Sequence, residues 1–189
     1  MAGPRQSGEL RISDAVRALL YELRVLEGID EVPELDLERV REVEAALATR
    51  FGEDLLAAFA AQSDHLRDAA GMEWGLGVAH TGAMRQLGAP GDLVAFGRDV
   101  DAPRFLAVHK AEEAPESTTV VIFDAVEQAL AEEPFERWLE DQVEAVRARS
   151  EDLPEVDVAA ASTFVPRLVR RRLPEGSSGR RVRHPRFGE

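Results

Sequence analysis

The sequence predicts an α+β fold in which an antiparallel sheet is packed by helices, with an extra N-terminal helix and a basic C-terminal tail. Two observations carry it. Three short apolar runs, Leu93–Phe96, Phe105–Val108 and Val120–Phe123, are separated by turn-forming and charged residues, as in a meander of strands. One amphipathic helix then follows, with Phe135, Trp138, Leu139, Val143 and Val146 at helical spacing on one face and Pro134 just inside its start. Three strands and a helix in that order can bury a shared face.

The elements before the sheet read as helices. From Asp14 to Glu27, Val16, Leu19, Leu20, Leu23 and Leu26 form one apolar stripe, with Ser13 or Asp14 as cap and Gly28 as stop. This helix serves either as an added core element or as a dimerisation arm, the former being simpler. Pro33 breaks the chain again. A second helix is expected from Asp36 to Thr49, with Leu37, Val40, Val43 and Leu47 inward, and a third from Glu53 to about Ser63, with Leu55, Leu56 and Phe59 on one side. The glycine-rich stretch that follows predicts a short strand around Trp74–Ala79 and then a loop to Pro90-Gly91. Residues 1–34 are thus expected to form a helical extension, 35–149 the α+β domain and 150–189 a basic linker and tail outside the core.

Several of these segments resemble a known family. LVAFGRDVDAPRFLAVH, STTVVIFD and the helix PFERWLEDQ are similar to the SUKH superfamily of bacterial toxin-immunity proteins and a yeast regulator of cell-wall assembly. Gly97 and Asp99 match the family's glycine-and-aspartate hairpin, and Phe135, Trp138 and Leu139 match its late helix; with the helices from Leu37 to Asp64, the resemblance covers roughly residues 35–146. Arg50-Phe51 stands where the family commonly has Leu-Pro, and the Asn-Gly-Gly that commonly follows is absent. The resemblance implies a non-catalytic, cofactor-free domain that occludes a cognate toxin. A shorter stretch, RRVRHPRFGE at the C-terminus, resembles the first strand and turn of the Tudor-like module of certain superfamily 1 helicases, which would imply docking onto a nucleic-acid machine.

Charge is distributed unevenly. The chain carries −13 overall, but from Val165 onward eight Arg against two Glu give +6, so residues 1–164 carry −19. An acidic body repels nucleic acid and steers basic partners toward it. A nuclease toxin that grips phosphate backbones would be such a partner. Nucleic acid remains a candidate ligand only for the tail, through Arg170, Arg171, Arg172, Arg180, Arg181 and Arg183. Zero cysteines exclude disulfides, thiolate metal sites and cysteine nucleophiles. No apolar run approaches the roughly 20 residues needed to cross a bilayer, and the N-terminus lacks a signal-peptide core, so the expected location is the cytoplasm.

Motifs for catalysis do not assemble. His65, His80, His109 and His184 stand far apart, and Asp99-x-Asp101 lies in a turn, where such residues usually hold backbone N–H groups. Gly75-Leu76-Gly77 lacks the third glycine of a dinucleotide loop, and the Glu112-Glu113 and Glu132-Glu133 pairs look like solvated charge in loops or at helix starts. The sequence therefore predicts no enzyme, no cofactor and no metal. Its expected binding residues for a protein partner are Asp99, Asp101, Arg104, Glu112 and Glu113, on one acidic face centred on the 99–104 hairpin and the 110–116 loop, with Trp74 as a candidate interface anchor. The alternative is a regulatory or scaffold module that docks a transcription or signalling complex through its Arg-rich tail.

Overall fold

The computed structural model describes residues 5–99, 101–149 and 153–171. In order, the elements are β1 (Gly8–Glu9), α1 (Asp14–Glu27), β2 (Glu34–Asp36), α2 (Leu37–Leu47), α3 (Glu53–Ala61), α4 (Asp64–Asp68), α5 (Gly77–Gln86), β3 (Leu93–Arg98), β4 (Arg104–His109), β5 (Thr119–Asp124), β6 (Ala129–Pro134), α6 (Phe135–Arg147) and β7 (Arg167–Val169). Short 3-10 turns precede α5 at Trp74–Leu76 and β7 at Val158–Thr163. The α+β expectation holds: β3-β4-β5-β6 is an antiparallel meander with helices packed against it. Among the described residues no helix is long and apolar enough to cross a membrane.

The sheet has two covered faces. Val94, Phe96, Leu106, Val108 and Val120 point into the main core with Leu20 and Leu23 of α1, Leu55 and Leu56 of α3, and Phe135, Trp138 and Leu139 of α6. Each fully buried aliphatic side chain contributes about 1.5–3 kcal/mol of transfer free energy. On the reverse face Leu93, Ala95, Phe105, Val121 and Phe123 form a smaller cluster under Met84 of α5. The N-terminal helix is a core element: the Ser13 hydroxyl accepts from Val16 N–H, Gly28 closes it at φ 67°, and Leu20 and Leu23 are fully buried.

Four expectations are corrected. The predicted strand around Trp74–Ala79 is instead a 3-10 turn running into α5; Thr81 donates its hydroxyl to Gly77 O at 2.8 Å and accepts Ala95 N–H at 2.9 Å, locking the helix onto β3. A fourth strand, β6, occupies ALAEEP, so Glu132 and Glu133 lie in a strand and not in a loop or at a helix start, and Pro134 precedes α6 instead of opening it. Residues 153–171 do not lie outside the core: Phe164 and Leu168 are buried in it, and β7 pairs antiparallel with β1 and parallel with β2. Arg17 reaches Phe164 O at 2.6 Å, and the buried Arg24 stacks 6.0 Å from the Phe164 ring while donating to Ala61 O at 2.6 Å. These are contacts of an integral element.

Close backbone crossings explain two glycines. Residues 70–71 run across the end of β3, where Arg98 N–H donates to Ala70 O at 3.0 Å. A Cβ on Gly71, which sits at φ +57°, would fall 2.3 Å from Arg98 O, and one on Gly97 would fall 2.4 Å from Ala70 O. Gly97 also marks the bulge at which β3 shifts register against β4. The hairpin beyond it is aimed by that bulge.

Candidate functional site

The 99–104 hairpin is held by its own polar groups. Asp99 N–H donates to Arg104 O at 3.0 Å, and the Asp99 carboxylate accepts Asp101 N–H at 2.9 Å. Arg104 donates through Nε to Asp124 Oδ2 at 3.1 Å. Asp124 also accepts Val126 and Glu127 N–H at the next turn, so the backbone N–H of Glu127 first, then Arg104, holds its carboxyl below the ordinary range. The expected Asp-x-Asp pair is therefore a turn-former with Asp101 left exposed.

Below the hairpin, two adjoining clefts run between it, α4 and α6. The first, about 270 Å³, has an apolar floor of Leu106, Ile122 and Trp138 and an acidic rim of Asp99, Glu133 and Asp141. The second, about 550 Å³, is bordered by Glu27, Asp64, Asp68 and Asp101 with His65 and Arg149. Ala69 borders both, so they form one trough. Burial, and then the neighbouring Asp141, pushes the Glu133 carboxyl up. Glu27 spends one oxygen on Ser63 Oγ at 3.0 Å and His65 N–H at 2.7 Å; its other oxygen is buried without a hydrogen-bond partner among the described residues. His65 faces Gln142 at 3.2 Å, and burial lowers its pKa, with Arg149 adding to the effect. The trough offers carboxylates around an apolar floor, a setting suited to long basic side chains whose stems pack and whose heads pair.

The structure brings only part of the expected set together. Asp99, Asp101 and Arg104 lie at the trough. Glu112 and Glu113 are exposed in the β4–β5 loop, at the opposite end of β4 from Arg104. Six strand residues at about 3.3 Å each separate the two ends by roughly 20 Å, so the single acidic face expected from hairpin and loop is not one surface. Trp74 borders neither cleft; it packs edge-on against Phe51 at 5.4 Å and Phe59 at 4.7 Å, with its indole N–H buried and unpartnered among the described residues. Arg170 and Arg171 are exposed after β7, and Arg170 Nε lies 3.8 Å from Glu38. Arg172, Arg180, Arg181 and Arg183, with the Tudor-like stretch, lie outside the described residues.

Sequence reasoning missed Asp64, Asp68, Glu133 and Asp141. Asp141 sits three residues after Trp138, at the border of the apolar stripe, which was the one available signal. Asp64 and Asp68 share a face of a helix too short to stand out. Among the described residues no group of three or more His, Asp or Glu side chains is placed to hold a metal ion. His109 instead bridges Asp92 and Glu132, each at 3.1 Å. Comparison with known protein families, with curated proteins and with solved structures finds no match to this chain.

Proposed function

We propose that this chain is a cytoplasmic, non-catalytic protein-binding domain of the SUKH immunity type, which occludes a basic, nuclease-like toxin. One observation carries the reading: carboxylates from the hairpin, α4, β6 and α6 converge on a trough with an apolar floor. Exposed carboxylates around buried apolar anchors suit a basic protein surface, because charge steers the encounter and the floor supplies contact area. The meander with Gly97 and Asp99 at its first hairpin and Trp138 on its closing helix also fits the resemblance.

The test uses the full chain. Affinity capture followed by mass spectrometry identifies the partner, and purified partner is then titrated against wild type and an Asp64→Asn, Asp68→Asn, Asp99→Asn, Asp101→Asn variant. The expected result is capture of a basic nuclease whose activity the wild type inhibits, with affinity about tenfold weaker in the variant, mainly through slower association. Loss of capture on replacing Arg180, Arg181 and Arg183 with Gln, with no effect of the acidic changes, would transfer the function to the tail and to a scaffold role.

A further inference from the structure

The four-stranded sheet treats its two edges differently. At β3 the outward backbone is occupied: Ala95 N–H donates to Thr81 Oγ1 at 2.9 Å and Arg98 N–H to Ala70 O at 3.0 Å, under the cover of α5. At β6 no strand lies beyond among the described residues, and every residue but the half-buried Glu133 is exposed. Among the described residues no backbone group pairs with its outer side. An open six-residue edge is a template for one more strand.

The ladder fixes which groups are open. Phe135 N–H donates to Thr118 O and Ala125 N–H to Pro103 O, both at 2.9 Å. Opposed residues in antiparallel strands alternate between bonded and non-bonded pairs. With the observed register, Val120–Glu133, Ile122–Ala131 and Asp124–Ala129 bond inside the sheet. Leu130 and Glu132 therefore turn both N–H and C=O outward, and Pro134 turns its C=O outward.

Charge selects the occupant. Glu132, opposite Val121, stands on the α5 side of the sheet with Oε1 on His109, and Glu133, opposite Val120, stands on the α6 side beside the trough. A strand laid on this edge meets a carboxylate on each face, with the exposed Leu130, opposite Phe123, as an apolar seat on the Glu132 face. A second copy would bring four carboxylates within a few residues on a chain of net charge −13. An extended chain alternating basic and apolar residues would find a charge partner at each face and hydrogen bonds along its backbone. We infer that the outer edge of β6 docks an extended, Arg- or Lys-rich segment of the partner protein as a fifth strand. This inference rests on the reading that the partner is basic, and it adds backbone pairing at a named edge.

The experiment titrates the full-length protein with a synthetic peptide of alternating Arg and Val, with alternating Glu and Val as control, and follows amide hydrogen exchange residue by residue. Expected are about tenfold slower exchange at Leu130 and Glu132 at saturation and no effect of the acidic peptide. Leu130→Pro removes an outward N–H without touching a bond to β5 and weakens binding about fivefold. Glu133→Gln, which leaves the backbone and the Glu132–His109 bond in place, weakens it by a similar factor should the proline disturb the sheet. Binding that leaves the Leu130 and Glu132 amides unchanged but is lost in the Asp99→Asn, Asp101→Asn variant overturns the edge site and leaves the acidic trough as the basic-partner surface. Absence of peptide binding overturns the edge site, while capture of the partner still decides the functional reading. Edge amides protected in the free protein and released on replacing Arg180, Arg181 and Arg183 overturn it in favour of the chain's own tail, and protection that rises with protein concentration overturns it in favour of a second copy.

Discussion

His109 shows how one side chain can tie a sheet together and make that tie depend on pH. It stands at the end of β4 with Asp92, just before β3, on one ring nitrogen and Glu132 of β6 on the other. The hydrogen bond to Glu132, opposed by partial burial and aided by Asp92, raises its pKa above the ordinary 6.5. The folded state therefore holds the proton more tightly than the unfolded chain. Its contribution is complete below about pH 6.5 and is lost as pH rises through the raised folded value. His65 and His80 act in the opposite direction, because burial lowers both pKa values and acid costs the fold stability as pH falls below 6.5. Comparing wild type with His109→Gln isolates the first effect from the second. In urea titrations wild type should exceed the variant at pH 5.5–6 by less than about 1 kcal/mol, since the site is half exposed, and the gap should close by about pH 8.5. A gap that widens with pH would mean that the imidazole is bound neutral.

At the scale of elements, the elements legible in the sequence are those whose pattern is dictated by their own buried face. Ser13, the Leu20 and Leu23 stripe and Gly28 bracket α1 because each satisfies a local requirement of a helix. Strands β3, β4 and β5 are apolar because both of their faces are covered. β6 escaped because an edge strand with one open side can carry an exposed Glu132 and a half-buried Glu133. The segment 153–171 escaped for a different reason: among the described residues Ala161, Phe164, Pro166 and Leu168 are its buried positions, and the 164-166-168 alternation is too short, and too broken by Pro and Arg, to stand out as a strand. Asp99 and Asp101 were legible as turn residues and as part of an acidic surface, whereas the trough depends on α4, β6 and α6 meeting, which no local spacing encodes. The segment's role in the core has a measurable consequence. Leu168, 3% exposed, packs with the main core from β7. Leu168→Ala should cost about 2–4 kcal/mol and lower the urea midpoint with little change in slope. A cost under about 0.5 kcal/mol would return residues 153–171 to the status of an appendage.

The whole molecule carries its charge in two blocks of opposite sign, −19 over residues 1–164 and +6 after them. Arg5 and Arg50 clamp the buried Glu44 across the fold, but several ion pairs of the body are local and more exposed: Arg41–Glu38, Arg67–Asp64 and Arg137–Glu140 each span three residues on one helix. Such exposed pairs contribute only tenths of a kcal/mol each, so they do not offset the excess of carboxylates over the surface. Self-repulsion among those carboxylates lowers stability and is screened over a Debye length of about 10 Å at 0.1 M salt. The same carboxylates attract a basic partner, and that attraction is screened as well. Added salt should therefore move the two properties in opposite directions. Between about 0.02 and 0.5 M NaCl, the urea midpoint should rise while affinity for the basic partner falls, with most of the loss in the association rate. Stability that rises while affinity stays flat would mean that the acidic surface is a property of the free chain alone and that recognition lies elsewhere.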